Sequence, residues 1–408
     1  MRRSAGSAPS LRLSIAVAGG RAAAGLSRAA SIGRGGTIAG RVTLALMPDA
    51  LTRLSSGRRV VLVSGTNGKT TTTSMIAAAL GGDVCTNITG ANLPSGLVSA
   101  LASNRAATAV LEVDELHLPE AIRRTQPSVV VLLNLTRDQL DRMHDPARVA
   151  ASWTRALRET PTAVVASADD PLVVAAARDA ESVTWVAGAT EWQDDIGACD
   201  RCGRPLEVVA GTWRCQCGNA APLARVRPTH DGVAIDDAHY PVDLALPGRA
   251  NGVNAAFAVA VASTFGVPPR QALDRLATIT EVEGRYARFT LGGRNARLLL
   301  AKNPAGWRSA LDVVDPAAAV VIAVNARTVD GVDTSWLWDV PFETLAGRSV
   351  GVQGDRSADV LLRLQYAGVA ASELQDLNDV AGDPGTGVEV LGNYTAFADI
   401  RQRYVSRR

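Results

Sequence analysis

One stretch of the sequence, VLVSGTNGKTTTTSMIAAAL at residues 61–80, restricts the possible folds more than any other. Its apolar, β-branched start predicts a buried parallel strand, and its apolar end has helical spacing. Between them, Gly65 and Gly68 permit a tight loop whose backbone N–H groups point at one spot beside a helix N-terminus. Lys69 adds a charge for the outer phosphates, and Thr70 adds a hydroxyl ligand for Mg²⁺. The stretch therefore predicts a phosphate-binding loop.

The loop departs from the full Walker pattern at one position, because Val63 stands where that pattern has its first glycine. A chance glycine turn is the alternative interpretation. It is disfavoured because strand, turn, lysine, hydroxyl and helix follow one another in the required order. We expect the intervening residues Thr66 and Asn67, and the following Thr71, to contribute to the nucleotide site.

Strand-like runs alternate with alanine-rich helical segments from residue 60 to about residue 188. This rhythm predicts an α/β fold with a doubly wound parallel sheet. In such sheets the ligands bind at the carboxyl ends of the strands. Glu112, Asn134 and Asp170 each end a predicted strand, so we expect all three at that edge.

A second α/β pattern follows, with strands predicted in RLLLAKNP, AAVVIAVNAR, SVGVQG and GVEVLGN. We expect it to form a Rossmann-like domain. The predicted organisation is a basic N-terminal segment at residues 1–47, a central ATP-binding domain at 48–285 and a C-terminal domain at 286–408.

Four cysteines lie in an insertion at about residues 196–222 of the central domain. Cys199 and Cys202 form a C-x-x-C pair, Cys215 and Cys217 form a C-x-C pair, and a short hairpin is predicted between them. Two such pairs are typical of a closed, structural zinc ribbon. Disulfides or free thiols are the alternative, and they are disfavoured because the sequence shows no secretory signal.

The composition excludes several classes of protein. No apolar run reaches the length needed to span a membrane, and the net charge of +2 argues against bulk nucleic-acid binding. We expect a cytoplasmic protein.

No acidic residue precedes Asp49, whereas seven arginines do. This segment could mimic a transit peptide, contact an anionic membrane surface, or form a solvated, partly helical leader.

Several motifs, in order along the chain, resemble those of the Mur ligase family, whose members join a carboxylate to an amine. SGTNGKTTT resembles the family's ATP loop, and LEVDE resembles its acidic Mg²⁺ element, with Glu112 as the metal ligand. NLTRDQLDR, SADDP, GRANGVNAAFAVA and EGR resemble its later elements. The resemblance implies ATP and Mg²⁺ as cofactors.

The resemblance also implies roles for residues outside the loop. Asn251 and Asn254 would lie near the nucleotide, although helix capping is an equal alternative for Asn254. Arg285 would contact phosphate or act at a hinge, with a surface salt bridge as the simple alternative. Asn134 and Asp138 would orient metal or substrate.

Two departures from the family pattern concern its second metal. Gln139 stands where many Mur ligases carry a histidine. The modified lysine of those enzymes has no clear counterpart, and the corresponding segment offers Arg155 instead. A second Mg²⁺ site is therefore not assigned.

The closer resemblance is to the branch of MurT-type subunits of lipid II isoglutaminyl synthases, through TNITGANLPSGL, the four-cysteine insert, LAKNPAG, NARTVDGVDTSWLWDVPFE and GNYTAF. It implies ATP-dependent amidation of the D-glutamate α-carboxylate in the peptide stem of lipid II, through an acyl phosphate. The chain has four histidines, and Cys85, its only cysteine outside the ribbon, lies in no glutaminase-like context. Ammonia is thus expected from a partner that resembles the GatD class I glutamine amidotransferase.

The same resemblance implies that the C-terminal domain lends an aspartate to the partner's Cys–His pair. Asp333 is the first candidate, followed by Asp339 and Asp330, with helix capping as the alternative role. Trp336 and Trp338 would either anchor that interface or belong to the core.

Three other functions compete with this interpretation. The chain could be a Mur-type ligase that joins an amino acid, a non-catalytic ATP-binding scaffold that activates a glutaminase, or a zinc-ribbon nucleic-acid module. The intact Lys69, Thr70 and Glu112 argue against a loss of ATP chemistry. Acidic residues around the ribbon argue against nucleic acid.

Overall fold

The computed structural model describes residues 11–29, 37–87, 91–136, 145–188, 197–209, 212–281, 285–382 and 385–405. The chain divides into two compact units, and each is described by itself. The first unit comprises Met1–Leu135, Asp145–Ala245 and Asn251–Thr278. The second unit comprises Thr136–His144, Leu246–Ala250 and Ile279–Arg408.

The helices of the first unit are α1 (Leu11–Ala29), α2 (Ile38–Leu46), α3 (Ala50–Ser55), α4 (Lys69–Leu80), α5 (Pro94–Ser103), α6 (Leu118–Thr125), α7 (Pro146–Glu159), α8 (Pro171–Ala177), α9 (Arg249–Thr264) and α10 (Pro269–Leu276). Its strands are β1 (Arg59–Ser64), β2 (Val84–Thr86), β3 (Thr108–Glu112), β4 (Val129–Leu132), β5 (Ala163–Ser167), β6 (Ser182–Val186), β7 (Glu207–Val209), β8 (Thr212–Arg214), β9 (Val226–Thr229), β10 (Gly232–Ile235) and β11 (Ala238–Pro241).

The first unit is built on one mixed sheet with the strand order β11-β10-β9-β6-β5-β4-β1-β3-β2. Strands β1 to β6 run parallel, and β9, β10 and β11 form an antiparallel meander at one edge. In the centre, Val61 of β1 pairs with Val110 of β3 on one side and with Val129 of β4 on the other. The predicted α/β architecture is confirmed, whereas the meander had no counterpart in the prediction.

Strand β1 is central because it is apolar on both faces. Val60 and Leu62 belong to a buried cluster that includes residues of α5, α6 and α7. The opposite face is covered by α4, which packs on β1, β2 and β3. Burial on both faces is typical of a parallel sheet between helical layers, and it leaves only the strand ends for polar chemistry.

The N-terminal helices are part of the first unit. Helix α1 packs along α2, and α2 packs on α5. Leu13 and Ala16 of α1 enter the same buried cluster as the central strands. Among the residues that the structure describes, no helix has both the length and the apolar character needed to cross a bilayer.

The second unit contains the strands β12 (Tyr286–Leu291), β13 (Arg294–Leu300), β14 (Ala319–Ala323), β15 (Ser349–Gln353), β16 (Ala370–Glu373) and β17 (Val388–Gly392), and the helices α11 (Pro304–Leu311), α12 (Ser357–Tyr366) and α13 (Tyr394–Ile400). Short 3-10 turns cover Ser335–Asp339, Phe342–Leu345 and Leu377–Asp379, and a π-helical turn covers Arg401–Val405. The strand order is β12-β13-β17-β14-β15-β16. All pairs are parallel except β12 with β13, so this sheet is also mixed.

Candidate active site

The loop between β1 and α4 depends on two glycines with positive φ. Gly65 has a φ of 145° and Gly68 a φ of 84°. A Cβ on Gly65 would lie 2.9 Å from the Cβ of Leu133 and 3.0 Å from the backbone nitrogen of Asn134. Only glycine fits such a close approach, so the loop is pressed against the segment that follows β4.

Asn134 holds this loop in place. Its backbone oxygen accepts the Thr66 N–H at 2.9 Å, and its Oδ1 accepts the Asn67 N–H at 2.8 Å. Its Nδ2 donates to the Asn67 carbonyl at 3.1 Å. Asn134 is a predicted cofactor-binding residue, and its contacts in the structure are with the backbone of the loop. Asn134 thus fixes the shape of the glycine loop.

Lys69 lies at the N-terminus of α4 with its ammonium group turned across the loop. The Nζ atom donates to the Gly65 carbonyl at 2.5 Å and to Oε2 of Glu115 at 3.0 Å. The Lys69 side chain is 6% exposed and that of Glu115 is 15% exposed. Trp153 fixes the backbone of Glu115, because its indole N–H donates to the Glu115 carbonyl at 2.8 Å.

Sequence reasoning missed Glu115. The available signal was its place just beyond the carboxyl end of β3, three residues after Glu112. The periodicity of the sequence could not show that this carboxylate reaches Lys69.

Thr70 and Glu112 form the second polar pair of the site. The Thr70 hydroxyl donates to Oε2 of Glu112 at 2.7 Å. Glu112 is 1% exposed, and Asn87 exchanges two hydrogen bonds of 2.8 Å with its backbone N–H and carbonyl. Asn92 donates to Oε1 of Glu112 at 3.4 Å. A hydroxyl and a carboxylate are hard oxygen ligands, so their chemistry fits Mg²⁺ next to a phosphate loop.

Helix α9 brings the predicted residue Asn254 to α4, and the predicted residue Asn251 lies beside Asn254. The Thr72 hydroxyl donates to Oδ1 of Asn254 at 3.0 Å, and Nδ2 of Asn254 donates to Oδ1 of Asn251 at 3.3 Å. A Cβ on Gly68 would lie 3.1 Å from Oδ1 of Asn254. Asn254 therefore lies against the phosphate loop, inside α9 rather than at its cap. Thr71 is half-buried in the first turn of α4.

The carboxylate of Asp170 accepts hydrogen bonds from backbone N–H groups. Its Oδ1 accepts the N–H groups of Leu172 and Val173 at the start of α8, at 2.9 and 3.1 Å. Its Oδ2 accepts the Leu135 N–H at 2.6 Å. This carboxylate therefore ties α8 to the segment after β4, and its predicted contact with nucleotide stays a prediction.

The four cysteines of the insertion come together around the β7–β8 hairpin. Their Sγ atoms all lie within 4.8 Å of one another, with separations of 3.7 Å for Cys199–Cys217 and 3.4 Å for Cys202–Cys215. These distances are too long for disulfide bonds, and all four cysteines are free. Four thiolates at about 2.3 Å from one Zn²⁺ ion would be separated by comparable distances, so the donor set fits a structural zinc site.

The hairpin is attached to the first unit by buried polar contacts. Trp213 is 1% exposed, and its indole N–H donates to the Ala168 carbonyl at 3.2 Å. A backbone hydrogen bond from Cys217 lowers the pKa of the Cys215 thiol, but burial and hydrogen bonds with the neighbouring thiols raise it overall to about 12. For Cys199, burial raises the pKa, but hydrogen bonds from Asn219 and from backbone N–H groups outweigh burial and lower the pKa to about 6. A thiol with this pKa is readily deprotonated, which suits a metal ligand.

Two further predicted residues that the structure describes in the first unit, Cys85 and Arg155, play no part in these contacts. Cys85 is fully buried on β2, and burial raises the pKa of its thiol, as expected for a core residue. Arg155 is exposed on α7. Asp138 and Gln139 lie outside the described residues.

In the second unit the candidate aspartates differ in exposure. Asp330 is 4% exposed, and its carboxylate accepts the N–H and the hydroxyl of Thr395 at 2.9 and 2.5 Å. Asp333 and Asp339 are exposed. Oδ1 of Asp333 accepts the Ser335 N–H at 2.8 Å, and hydrogen bonds from Ser335 lower the pKa of this carboxyl group. Asp330 is thus a structural residue, and the two exposed aspartates are the ones that a partner could reach.

Trp336 and Trp338 also differ in exposure. Trp336 is buried and stacks on Trp307 with 6.0 Å between ring centroids. Trp338 is 52% exposed and meets Tyr366 edge-on. Arg285 directly precedes β12, and its carbonyl accepts the Leu300 N–H at 3.0 Å.

Comparison with known proteins agrees with this geometry. The family of Mur ligase middle domains matches residues 63–262, and the family of MurT ligase C-terminal domains matches residues 300–397. Among solved structures, a pseudomurein peptide ligase type C from Methanothermus fervidus superposes with a TM-score of 0.66 at 19% identity, over 82% of this chain and 76% of that one. MurF from Acinetobacter baumannii superposes with a TM-score of 0.64 at 16% identity, over 89% and 81%. These likenesses show the fold.

Two relatives are similar over most of their length. The chain is 30% identical to the lipid II isoglutaminyl synthase (glutamine-hydrolyzing) subunit MurT of Staphylococcus aureus, over 84% of this chain and 86% of the relative. It is 28% identical to the protein of the same name from Streptococcus pneumoniae, over 92% and 94%. The chain therefore belongs to the Mur ligase family of ATP-dependent ligases, in the branch of the MurT subunits of lipid II isoglutaminyl synthase.

Proposed function

We propose that this chain is the synthetase subunit that amidates the α-carboxylate of D-glutamate in the peptide stem of lipid II, giving D-isoglutamine, with ATP as the activating reagent. The observation that carries the proposal is the arrangement of Lys69, Thr70 and Glu112 at the end of a glycine loop. The MurT relatives, named as subunits of lipid II isoglutaminyl synthase, supply the substrate class.

The reaction needs activation because a carboxylate resists attack by ammonia at neutral pH. Transfer of the γ-phosphoryl group of ATP to the carboxylate gives an acyl phosphate and ADP. Ammonia then attacks the acyl carbon, phosphate leaves, and an amide forms. Protein groups contribute mainly by positioning the phosphates and by neutralising the charge that develops on them.

The contacts support a division of labour within the first unit. Asn134 accepts the Thr66 and Asn67 N–H groups and so holds the shape of the loop, and the loop would bind the phosphates through its other N–H groups. Lys69 would turn its ammonium from Glu115 towards the outer phosphates. When bound, Mg²⁺ would be held by Thr70 and Glu112 and would neutralise phosphate charge. Asn251, Asn254 and Thr71 would complete the nucleotide site.

Ammonia would come from a second subunit with the chemistry of a class I glutamine amidotransferase. Cys85, the one cysteine outside the four-cysteine cluster, is fully buried, so it cannot serve as an exposed nucleophile. On the second unit, Asp333 is exposed and its pKa is held low, so it is ionised at neutral pH. It would orient a histidine of the partner's Cys–His pair. Asp339 is the alternative.

Zinc would have a structural role in this enzyme. The four cysteines would fill a tetrahedral shell and leave no position for substrate. The cysteines flank the hairpin that Trp213 anchors, so the metal would hold the insertion against the rest of the first unit.

The test is an amidation assay with purified protein, lipid II, ATP, Mg²⁺ and isotopically labelled ammonium chloride, without glutaminase. Mass spectrometry of lipid II would show one labelled nitrogen in place of one oxygen. Lys69→Ala is the variant that should abolish the product, and Arg105→Ala, at an exposed position just before β3, is the matched control.

The outcome of this assay distinguishes the proposed synthetase subunit from the alternative functions. Amidation that disappears in the Lys69→Ala variant supports the proposal. Amidation that needs added glutaminase and glutamine would mean that the partner also activates this subunit. No amidation under either condition would refute the proposal and favour an amino-acid ligase or an ATP-binding scaffold.

A further inference from the structure

The outer side of helix α1 carries an unbroken line of apolar side chains. Exposed residues recur along it at a spacing of three or four, which places them on one face of the helix. They are Leu11, Ile15, Ala18, Ala22 and Leu26. Leu11, Ile15 and Leu26 are 77%, 59% and 74% exposed. The opposite face, with Leu13, Ala16, Gly20 and Ala24, is buried.

Helix α2 extends this line and holds α1 rigidly. Leu46, at the end of α2, is 61% exposed, and a Cβ on Gly19 would lie 3.2 Å from its Cδ1 atom. Gly20 touches α2 so closely that a Cβ there would lie within 2.4 Å of the Ala39 carbonyl oxygen. The apolar line therefore belongs to a packed helix pair with a fixed orientation on the first unit.

The charged residues on α1 and α2 themselves are all basic. No acidic residue precedes Asp49 in the sequence, and Arg12, Arg21 and Arg41 are exposed on α1 and α2. Arg21 donates to the Ala102 carbonyl, so its charge is not neutralised by that contact. Within the described ranges, none of these three arginines forms an ion pair with a carboxylate.

We propose that the exposed face of α1, with Leu46 of α2, docks this protein on an anionic membrane surface. Apolar side chains in a line, whose charged neighbours on α1 and α2 are arginines, match a bilayer interface in which acyl chains lie beneath anionic headgroups. The choice of a membrane over a protein partner rests partly on the proposed function, because lipid II is anchored in the bilayer. Docking would hold the enzyme beside its substrate.

The direct test is co-sedimentation of the full chain with two kinds of vesicle, one of phosphatidylcholine alone and one that also contains phosphatidylglycerol. The wild-type chain should bind the anionic vesicles better, and salt should weaken the binding. The Ile15→Glu/Leu26→Glu variant should bind at least about tenfold more weakly, because it puts charge into the apolar line. Leu223→Glu is the matched control, since Leu223 is 95% exposed elsewhere on the first unit.

A second readout separates docking from chemistry. Ile15→Glu/Leu26→Glu should lower amidation of lipid II embedded in vesicles and leave amidation of a short-chain, water-soluble analogue unchanged. Equal binding to both kinds of vesicle, or wild-type binding by the double variant, would overturn the docking proposal. The docking proposal would also be overturned if the double variant kept vesicle binding but no longer formed a complex with a glutaminase, because the apolar face would then bind the protein partner. Absence of amidation with either substrate would count against the proposed function, while the vesicle measurement would still decide on docking.

Discussion

Replacing Asn134 by alanine should weaken ATP binding without unfolding the protein. The alanine removes two side-chain hydrogen bonds to Asn67, one from the Asn67 N–H at 2.8 Å and one to its carbonyl at 3.1 Å. It leaves the bond between the Thr66 N–H and the backbone oxygen of residue 134 in place. The loop would then lose two of its three hydrogen bonds to residue 134.

The size of the effect follows from these bonds. Each contributes about 1 kcal/mol, so the loop loses roughly 2 kcal/mol of preference for its binding-competent shape. If ATP binding must restore that shape, the dissociation constant rises by up to about 30-fold, since about 1.4 kcal/mol corresponds to a factor of ten.

Isothermal titration with a non-hydrolysable ATP analogue and Mg²⁺ measures this constant, and a thermal melt checks the fold. Asn104→Ala is the matched control. Asn104 also accepts a backbone N–H, that of Ala106 at 2.6 Å, but it precedes β3 and so lies at the opposite edge of the parallel sheet. Wild-type affinity in the Asn134→Ala variant would refute the reasoning, and so would an equal loss of affinity in the Asn104→Ala variant.

Three further predictions concern other parts of the molecule. Glu115→Gln should tighten ATP binding by up to about tenfold, because Lys69 would no longer leave an ion pair to reach the phosphates. Isothermal titration would show the change, and an unchanged affinity would contradict the role of the pair. Asp333→Asn should abolish glutamine-dependent amidation and preserve ammonia-dependent amidation. Asp330→Asn should lower the melting temperature. If Asp330→Asn abolished glutamine-dependent amidation and Asp333→Asn lowered the melting temperature, the two roles would be exchanged. Removal of zinc by a chelator should loosen the four-cysteine cluster and expose Trp213. Tryptophan fluorescence should then shift, and an unchanged spectrum would argue that packing alone holds the hairpin.

The architecture was predictable where local pattern decides structure. An apolar, β-branched run bounded by turn residues can be buried on both faces of a parallel sheet, which is why β1, β3, β4 and β5 lie where the sequence placed them. The glycine loop was predictable for a similar reason, since Gly65 and Gly68 have backbone conformations that few other residues adopt.

Contacts between distant segments could not be read in the same way. The pattern gives no sign that Glu115 reaches Lys69, or that Asn134 binds the loop backbone, because these contacts depend on how β3 and β4 flank β1. The two tryptophans of WLWD illustrate the same point. Packing against Trp307 buries Trp336 and leaves Trp338 exposed, and no local signal distinguishes them.

The N-terminal segment shows how composition can mislead. Its arginines and lack of acids fit a solvated leader, a transit peptide or a membrane contact equally well. The structure adds the second, buried face of α1, which packs into the core of the first unit. An apolar helix with one face buried and one exposed becomes a specific surface only after the fold shows which face is which.

The most direct test of the proposed chemistry follows an oxygen isotope from the substrate carboxylate. Lipid II labelled with heavy oxygen in the D-glutamate α-carboxylate would be incubated with the enzyme, ATP, Mg²⁺ and an ammonia source, and the released phosphate analysed by mass spectrometry. Activation through an acyl phosphate predicts that one labelled oxygen appears in the phosphate for each amide formed, and that none appears with the Lys69→Ala variant. Amide formed with unlabelled phosphate would contradict the acyl-phosphate mechanism.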